Sequence, residues 1–165
     1  MSVRVRSART SDVRGIRDLI APLAADRVLV AKEAVTYYES LPEFVVAEHE
    51  GVLVGCGALH VMWEDLAEVR TLAVATSMRG LGVGHALLDT LLHRARTLGV
   101  QRVFTLTFEV AFFSRHGFEV IEGTPVAPEV FGELLRSHDD GVAEFLDLAR
   151  VKPNTLGNTR MLRRV

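Results

Sequence analysis

Apolar and basic residues alternate from Val3 to Arg6, the two-residue period of a strand with one face on a core. Thr10, Ser11 and Asp12 then offer helix caps. Val13, Ile16, Leu19, Ile20 and Leu23 follow at helical spacing. A second helix is expected over Lys32 to Leu41, stopping before Pro42, because the residue ahead of a proline disfavours helical backbone. Phe44 to Ala47 and Val52 to Met62 read as a hairpin turning at Glu50-Gly51. Val52 to Met62 is apolar almost throughout, which predicts a central strand covered on both faces.

Glu68 to Val74 is the next strand, and Arg79 to Gly84 a glycine-rich loop. Leu87, Leu88, Leu91, Leu92, Ala95 and Leu98 lie on one face of the helix that follows, and Gly99 ends it. Val103 to Thr107 is a strand, and Ala111 to Arg115 a short helix leading to a strand that starts at Gly117-Phe118. Pro125 to Ser137 is expected to hold a helix and Arg160 to Val165 a last strand, while Val142 to Gly157 has no decisive period. Strand, loop, helix and strand from Glu68 to Thr107 form a βαβ unit, which requires parallel pairing and a right-handed crossover.

Composition narrows the class. The 165 residues suffice for one domain with a real core and are too few for two. A net charge of −2 provides no strong field for nucleic acid or an anionic membrane. No apolar run is long enough to span a bilayer, and the basic N-terminus lacks the apolar stretch of a signal peptide. The single cysteine, Cys56, rules out an internal disulfide and fits a reducing, cytoplasmic compartment.

The sharpest chemical signal is the run Arg79-Gly80-Leu81-Gly82-Val83-Gly84-His85 after Leu72-Ala73-Val74. Backbone amides in such a loop converge, and a helix N-terminus behind them completes an anion nest. A phosphate loop of the nucleotide-hydrolase kind needs Gly-Lys-Ser/Thr, which is absent. A dinucleotide fingerprint needs a third glycine where His85 or Leu87 stands. The remaining pattern, Gln/Arg-x-x-Gly-x-Gly/Ala, is met by Arg79, Gly82 and Gly84. That stretch resembles the pyrophosphate-binding motif of GNAT acetyltransferases. Phe112 to Phe118, ending in Gly117-Phe118, resembles the family's later motif, with Phe113 where many members carry a tyrosine acid.

Pro22-Leu23, Leu29-Val30, Cys56-Gly57-Ala58-Leu59, Glu68 with Leu72-Ala73-Val74, and Asn158-Thr159 further resemble the acetyltransferase domain of N-acetylglutamate synthases. The resemblance implies an α/β (α+β) fold, one GNAT-like domain over residues 1–165. Its mixed central sheet would be splayed between two parallel strands, with helices on both faces. It implies acetyl-CoA as acetyl donor, held by Leu72 to Val74 and by Arg79 to His85, and no metal. It implies Glu68 as general base and Thr107 as general acid, and an amino-acid acceptor, glutamate or glutamine, feeding arginine biosynthesis. Many members also carry an arginine-binding kinase domain; none is present in this sequence, so the usual arginine feedback site is not expected.

The residues themselves bear on this. Strand alternation would put Glu68, Arg70 and Leu72 on one face, and two charges inside a strand must pair or line a cavity. A Glu68–Arg70 salt bridge at a sheet rim is the competing reading, and Thr105 and Thr107 are also ordinary β-branched strand residues. Lys32, Arg70 and Arg160 come from three segments and are the cations available for substrate carboxylates. Cys56 sits in an apolar strand and reads as core rather than nucleophile. His49 and His60 do not have metal-ligand spacing, and His60 reads as a strand-end residue. Acetylation of a protein N-terminus or an aminoglycoside, and a non-catalytic acyl-CoA-binding module, remain open, as does a homodimer.

Overall fold

A computed structural model of the chain describes residues 2–26 and 32–165. Leu29-Val30, one element of the resemblance, lies outside the described residues. In chain order the elements are β1 (Arg4–Ser7), α1 (Val13–Ala25), α2 (Ala34–Glu39), β2 (Phe44–His49), β3 (Val52–Trp63), β4 (Leu66–Val74) and α3 (Val83–Leu98). Then follow β5 (Arg102–Thr107), α4 (Val110–Arg115), β6 (Glu119–Val120), α5 (Pro128–Leu134), α6 (Asp140–Phe145), α7 (Lys152–Thr155) and β7 (Thr159–Arg164). Among the described residues they form one mixed seven-stranded sheet in the order β1-β2-β3-β4-β5-β7-β6. Among the described residues no helix is long and apolar enough to cross a membrane.

The contacts gather into two compact units, and β3 and β4 contribute residues to each. In the first, Met1–His60 with Val69–Leu98, β1, β2 and β3 pair antiparallel. The middle of β3, Val54 to Leu59, is buried throughout, as its unbroken apolar run requires. Alternation explains how helices cover both of its sides. Cys56 and Ala58 join Val13, Ile16 and Ile20 of α1 and Tyr37 of α2 in one cluster. Gly55 and Gly57 point the other way, onto Val83, Leu87 and Leu91 of α3. Arg94 of α3 fastens the helix with hydrogen bonds to the Pro42 and Glu43 carbonyls, each 3.2 Å.

In the second unit, Val61–Glu68 with Gly99–Val165, β4 and β5 pair in parallel through Leu66↔Arg102, Ala67↔Val103 and Glu68↔Phe104. The register ends there, although β5 runs on to Thr107 against β7. Phe104, Leu66 and Met62 form a core with Leu134 of α5 and Val142, Phe145 and Leu146 in and after α6.

The structure departs from the periodicity at several points. The second helix begins at Ala34, so Lys32 lies ahead of it. The strand after Gly117-Phe118 has only two residues. Val142 to Gly157, which has no decisive period, is broken into short helical turns around Asp147, which itself has φ 60°. Turns of four to six residues are too short to display a helical stripe.

The glycines of β3 carry a stability prediction. A Cβ at Gly55 would lie 2.8 Å from Leu87 Cδ1 and 3.2 Å from the Ala73 carbonyl oxygen. Gly55→Ala should therefore lower stability by about 1–3 kcal/mol, the usual cost of overpacking. The urea midpoint measures it, and an unchanged midpoint would mean that α3 does not pack on this glycine.

Candidate active site

The loop after β4 is arranged for an anion. A 3₁₀ turn, Thr76–Met78, brings the chain to Arg79; Gly80 and Gly82 follow at φ 75° and 85°, left-handed values that glycine adopts without strain. Where a Cβ would stand at either glycine there is no atom within 4 Å. The first α-helical bond joins the Ala86 amide to the Gly82 carbonyl at 3.1 Å. Among the described residues the amides of Gly80 to Gly84 have no acceptor, as expected at a helix start. Val83 is buried and anchors the turn, while Arg79, Leu81 and His85 are exposed. Open glycines, unsatisfied amides and the dipole of a 16-residue helix fit a pyrophosphate.

Strand β4 is not regular where it approaches this loop. Thr71 has φ 57°, which costs a β-branched residue about 1–3 kcal/mol. Two neighbours hold it. Cys56 donates from its Sγ to the Thr71 carbonyl at 3.4 Å, and Lys32 Nζ donates to Thr71 Oγ1 at 3.3 Å. Burial pushes the Cys56 thiol up to about 12, so it stays protonated and able to donate, and is no nucleophile. The expected sharing of one face by Glu68, Arg70 and Leu72 is interrupted by the kink. Leu72 turns toward Leu91 under Gly57, and Ala73 toward the α1 cluster. Arg70 is half-buried just ahead of the kink.

Glu68 is 3 % exposed. Its register with Phe104 puts it on the face shared by Phe104, Leu106 and Arg160. Arg160 lies over the Phe104 ring, 5.0 Å from its centroid. Its Nη1 donates to the Glu144 carbonyl at 3.1 Å, and its Nη2 to those of Gly123 at 2.9 Å and Phe145 at 2.6 Å. Burial pulls the guanidinium pKa down, while the charges of Asp147 and Glu68 pull it up. Both terminal nitrogens are thus engaged by carbonyls; only Nε, which is buried, has no partner among the described residues. The nearby Asn158 Oδ1 is likewise buried and without a donor.

Thr107 lies three residues beyond Phe104, so alternation turns it to the opposite face from Glu68. Its Oγ1 accepts the Glu109 N–H at 2.8 Å, which leaves its own hydrogen free to be donated. Thr107 is 9 % exposed and Thr105 is buried. Phe113, at the position where many members have a tyrosine, is core, edge-on to Phe112 and Phe118. His60 bonds Glu43 at 2.9 Å, in keeping with a strand-end residue. No group of three His, Cys, Asp or Glu among the described residues could hold a metal ion.

Two cavities stand out among the described residues. One of about 770 Å³ lies in the second unit, lined by Trp63, Asp65, Arg102 and Pro125 among others, and none of the site residues expected from the sequence borders it. The other, about 420 Å³, lies in the first unit between residues of α1, Tyr37 of α2, and Lys32.

Comparisons with known proteins agree with this geometry. The model of the acetyltransferase (GNAT) family matches residues 16–118. An amino-acid acetyltransferase of Mycobacterium tuberculosis is 60% identical over 161 residues, 96% of this chain and 92% of that protein. An amino-acid acetyltransferase of Ralstonia nicotianae is 39% identical over 116 residues, 69% of this chain, and the chain spans only 26% of that relative's length. Among solved structures, a Mycobacterium tuberculosis protein in complex with CoA and NLQ superposes with TM-score 0.95 at 59% identity, covering 98% of this chain and 99% of that one. An N-acetylglutamate synthase from Neisseria gonorrhoeae, complexed with coenzyme A and N-acetyl-glutamate, gives TM-score 0.78 at 25% identity, covering 99% of this chain and 35% of that one.

The loop supplies the next prediction. Gly82→Val forces a β-branched residue into left-handed backbone and should weaken acetyl-CoA binding about 10-fold or more, with the melting temperature little changed. Calorimetric titration measures it; wild-type affinity in the folded variant would remove the loop from the donor site.

Proposed function

The chain belongs to the acetyltransferase (GNAT) family, and on that premise we propose that it moves the acetyl group of acetyl-CoA onto the α-amino group of L-glutamate or L-glutamine. It is an acetyl-CoA-dependent amino-acid acetyltransferase, as is its relative at 60% identity. Residues 1–165 then form one acetyltransferase domain, working in the cytoplasm and supplying N-acetylglutamate to arginine biosynthesis. The observation that carries this is the buried carboxylate of Glu68 in β4, the strand that leads directly into the glycine loop.

Arg79 to His85 hold the pyrophosphate, and the backbone of Leu72 to Val74 aligns the pantetheine arm and faces the developing oxyanion. Bound acetyl-CoA supplies an activated thioester. Glu68 takes a proton from the acceptor's ammonium group, directly or through water, because only the neutral amine attacks. The amine nitrogen then bonds to the acetyl carbon as the carbon–sulfur bond breaks. Thr107, its hydroxyl oriented by the Glu109 amide, gives a proton to the departing thiolate and is restored by the second proton that the newly bonded nitrogen sheds; water is the alternative donor. Base and acid serve opposite ends of the transfer, so they do not need to share a face. Lys32, Arg70 and Arg160 are the cations assigned to the acceptor's carboxylates, with Arg160 offering its buried Nε.

The test is a screen of free amino acids with acetyl-CoA, reading released thiol. Glutamate or glutamine should be turned over, and Glu68→Gln should lower kcat by roughly 10²–10⁴ with acetyl-CoA affinity unchanged. Turnover of a peptide amine or an aminoglycoside but of neither amino acid would overturn the acceptor assignment. Near-normal kcat in Glu68→Gln would return Glu68 to an ion-pair role.

A further inference from the structure

The cavity of about 420 Å³ on α1 is charged in a way that its sequence context does not advertise. Arg14, Arg17 and Lys32 line it against one carboxylate, Asp18. Arg14 and Arg17 are one helical turn apart on the exposed side of α1. Neither guanidinium has a hydrogen-bond or ion-pair partner among the described residues. Ala21 and Ala24, a few residues further along the helix, keep the cavity open because their side chains are small.

The floor is Tyr37, which is 2 % exposed yet lines the cavity. Its ring packs against Phe44, with centroids 5.9 Å apart. Its hydroxyl makes no hydrogen bond among the described residues and is not one of the buried polar atoms left without a partner, so it opens onto the cavity. Arg17 is close enough for its charge to act on that hydroxyl, and burial raises the phenol's pKa, so it stays a neutral donor. Lys32 links the cavity to the sheet through its bond to Thr71, three residues beyond Glu68 in β4.

We propose that this cavity is a carboxylate subsite for the amino-acid acceptor, in which Arg14 and Arg17 pair with the anion and the Tyr37 hydroxyl donates to it. Every lining group but Asp18 is then a donor or a spacer, and an unpaired phenol beside two unpaired guanidiniums gains the acceptor it lacks. The assignment rests on the amino-acid acceptor reading given above. A phosphate of coenzyme A is the other anion such donors would accept, and it would appear in the donor's kinetics instead of the acceptor's.

The experiment combines steady-state kinetics with calorimetric titration of L-glutamate into the CoA-bound protein, for wild type, Arg14→Ala, Arg17→Ala and Tyr37→Phe. Melting temperatures check the fold, and Arg17→Lys checks that charge is what matters. The glutamate KM and Kd should rise about 10-fold or more in each arginine variant and several-fold in Tyr37→Phe, with acetyl-CoA KM within about 2-fold of wild type. Arg17→Lys should recover part of the loss. Wild-type turnover with unchanged glutamate KM and Kd in the variants overturns the subsite and leaves the acceptor reading standing. A rise confined to the acetyl-CoA KM also overturns it, in favour of a coenzyme phosphate. Glutamate binding that is lost in the variants, with no turnover by the wild type, keeps the subsite and overturns the acceptor reading.

Discussion

A threonine in left-handed backbone is costly, and the chain keeps Thr71 there by surrounding it with donors. The Cys56 thiol holds its carbonyl and Lys32 its hydroxyl. Strand β3, apolar but for His60, thus carries a thiol against the irregularity, and burial keeps that thiol protonated. The kink interrupts a strand that carries Glu68 before it and leads into the glycine loop after it. Residues 72 to 74 follow the kink and lie beyond Glu68, where the pairing of β4 with β5 ends.

The same economy governs the charges. Glu68 is almost fully buried, and Arg160 on its face lies against the Phe104 and Phe145 rings and is tied to three carbonyls. A carboxylate in that position is costly to desolvate, which is tolerable where a proton has to be taken up and released. Arg160 has little freedom to swing toward a ligand. It fixes the segment from Gly123 to Phe145 against β7 and presents only Nε.

Much of the architecture was legible in the sequence, because α3, β3 and the βαβ unit have long, clean periods. The glycine loop was legible because Gly80 and Gly82 occupy backbone that only glycine enters freely. Thr71 was not, since β-branched residues are ordinary in strands and nothing local marks a positive φ. Arg14 and Arg17 carry no signal in the sequence; they acquire meaning only when Tyr37, from another helix, is found lining the same cavity. Val142 to Gly157 was illegible because its helices are a turn or so long and held by tertiary contacts such as Arg160 to Phe145. The Phe113 substitution was visible, and the structure explains it as core packing against Phe118.

Direct transfer between two bound substrates is the central claim, since the only cysteine is a buried structural donor and no other carrier of the acetyl group is invoked. Initial velocities measured over a grid of acetyl-CoA and L-glutamate concentrations test it most directly. The account predicts double-reciprocal lines that intersect, as for a ternary complex. Parallel lines, the signature of an acetylated enzyme intermediate, would contradict it.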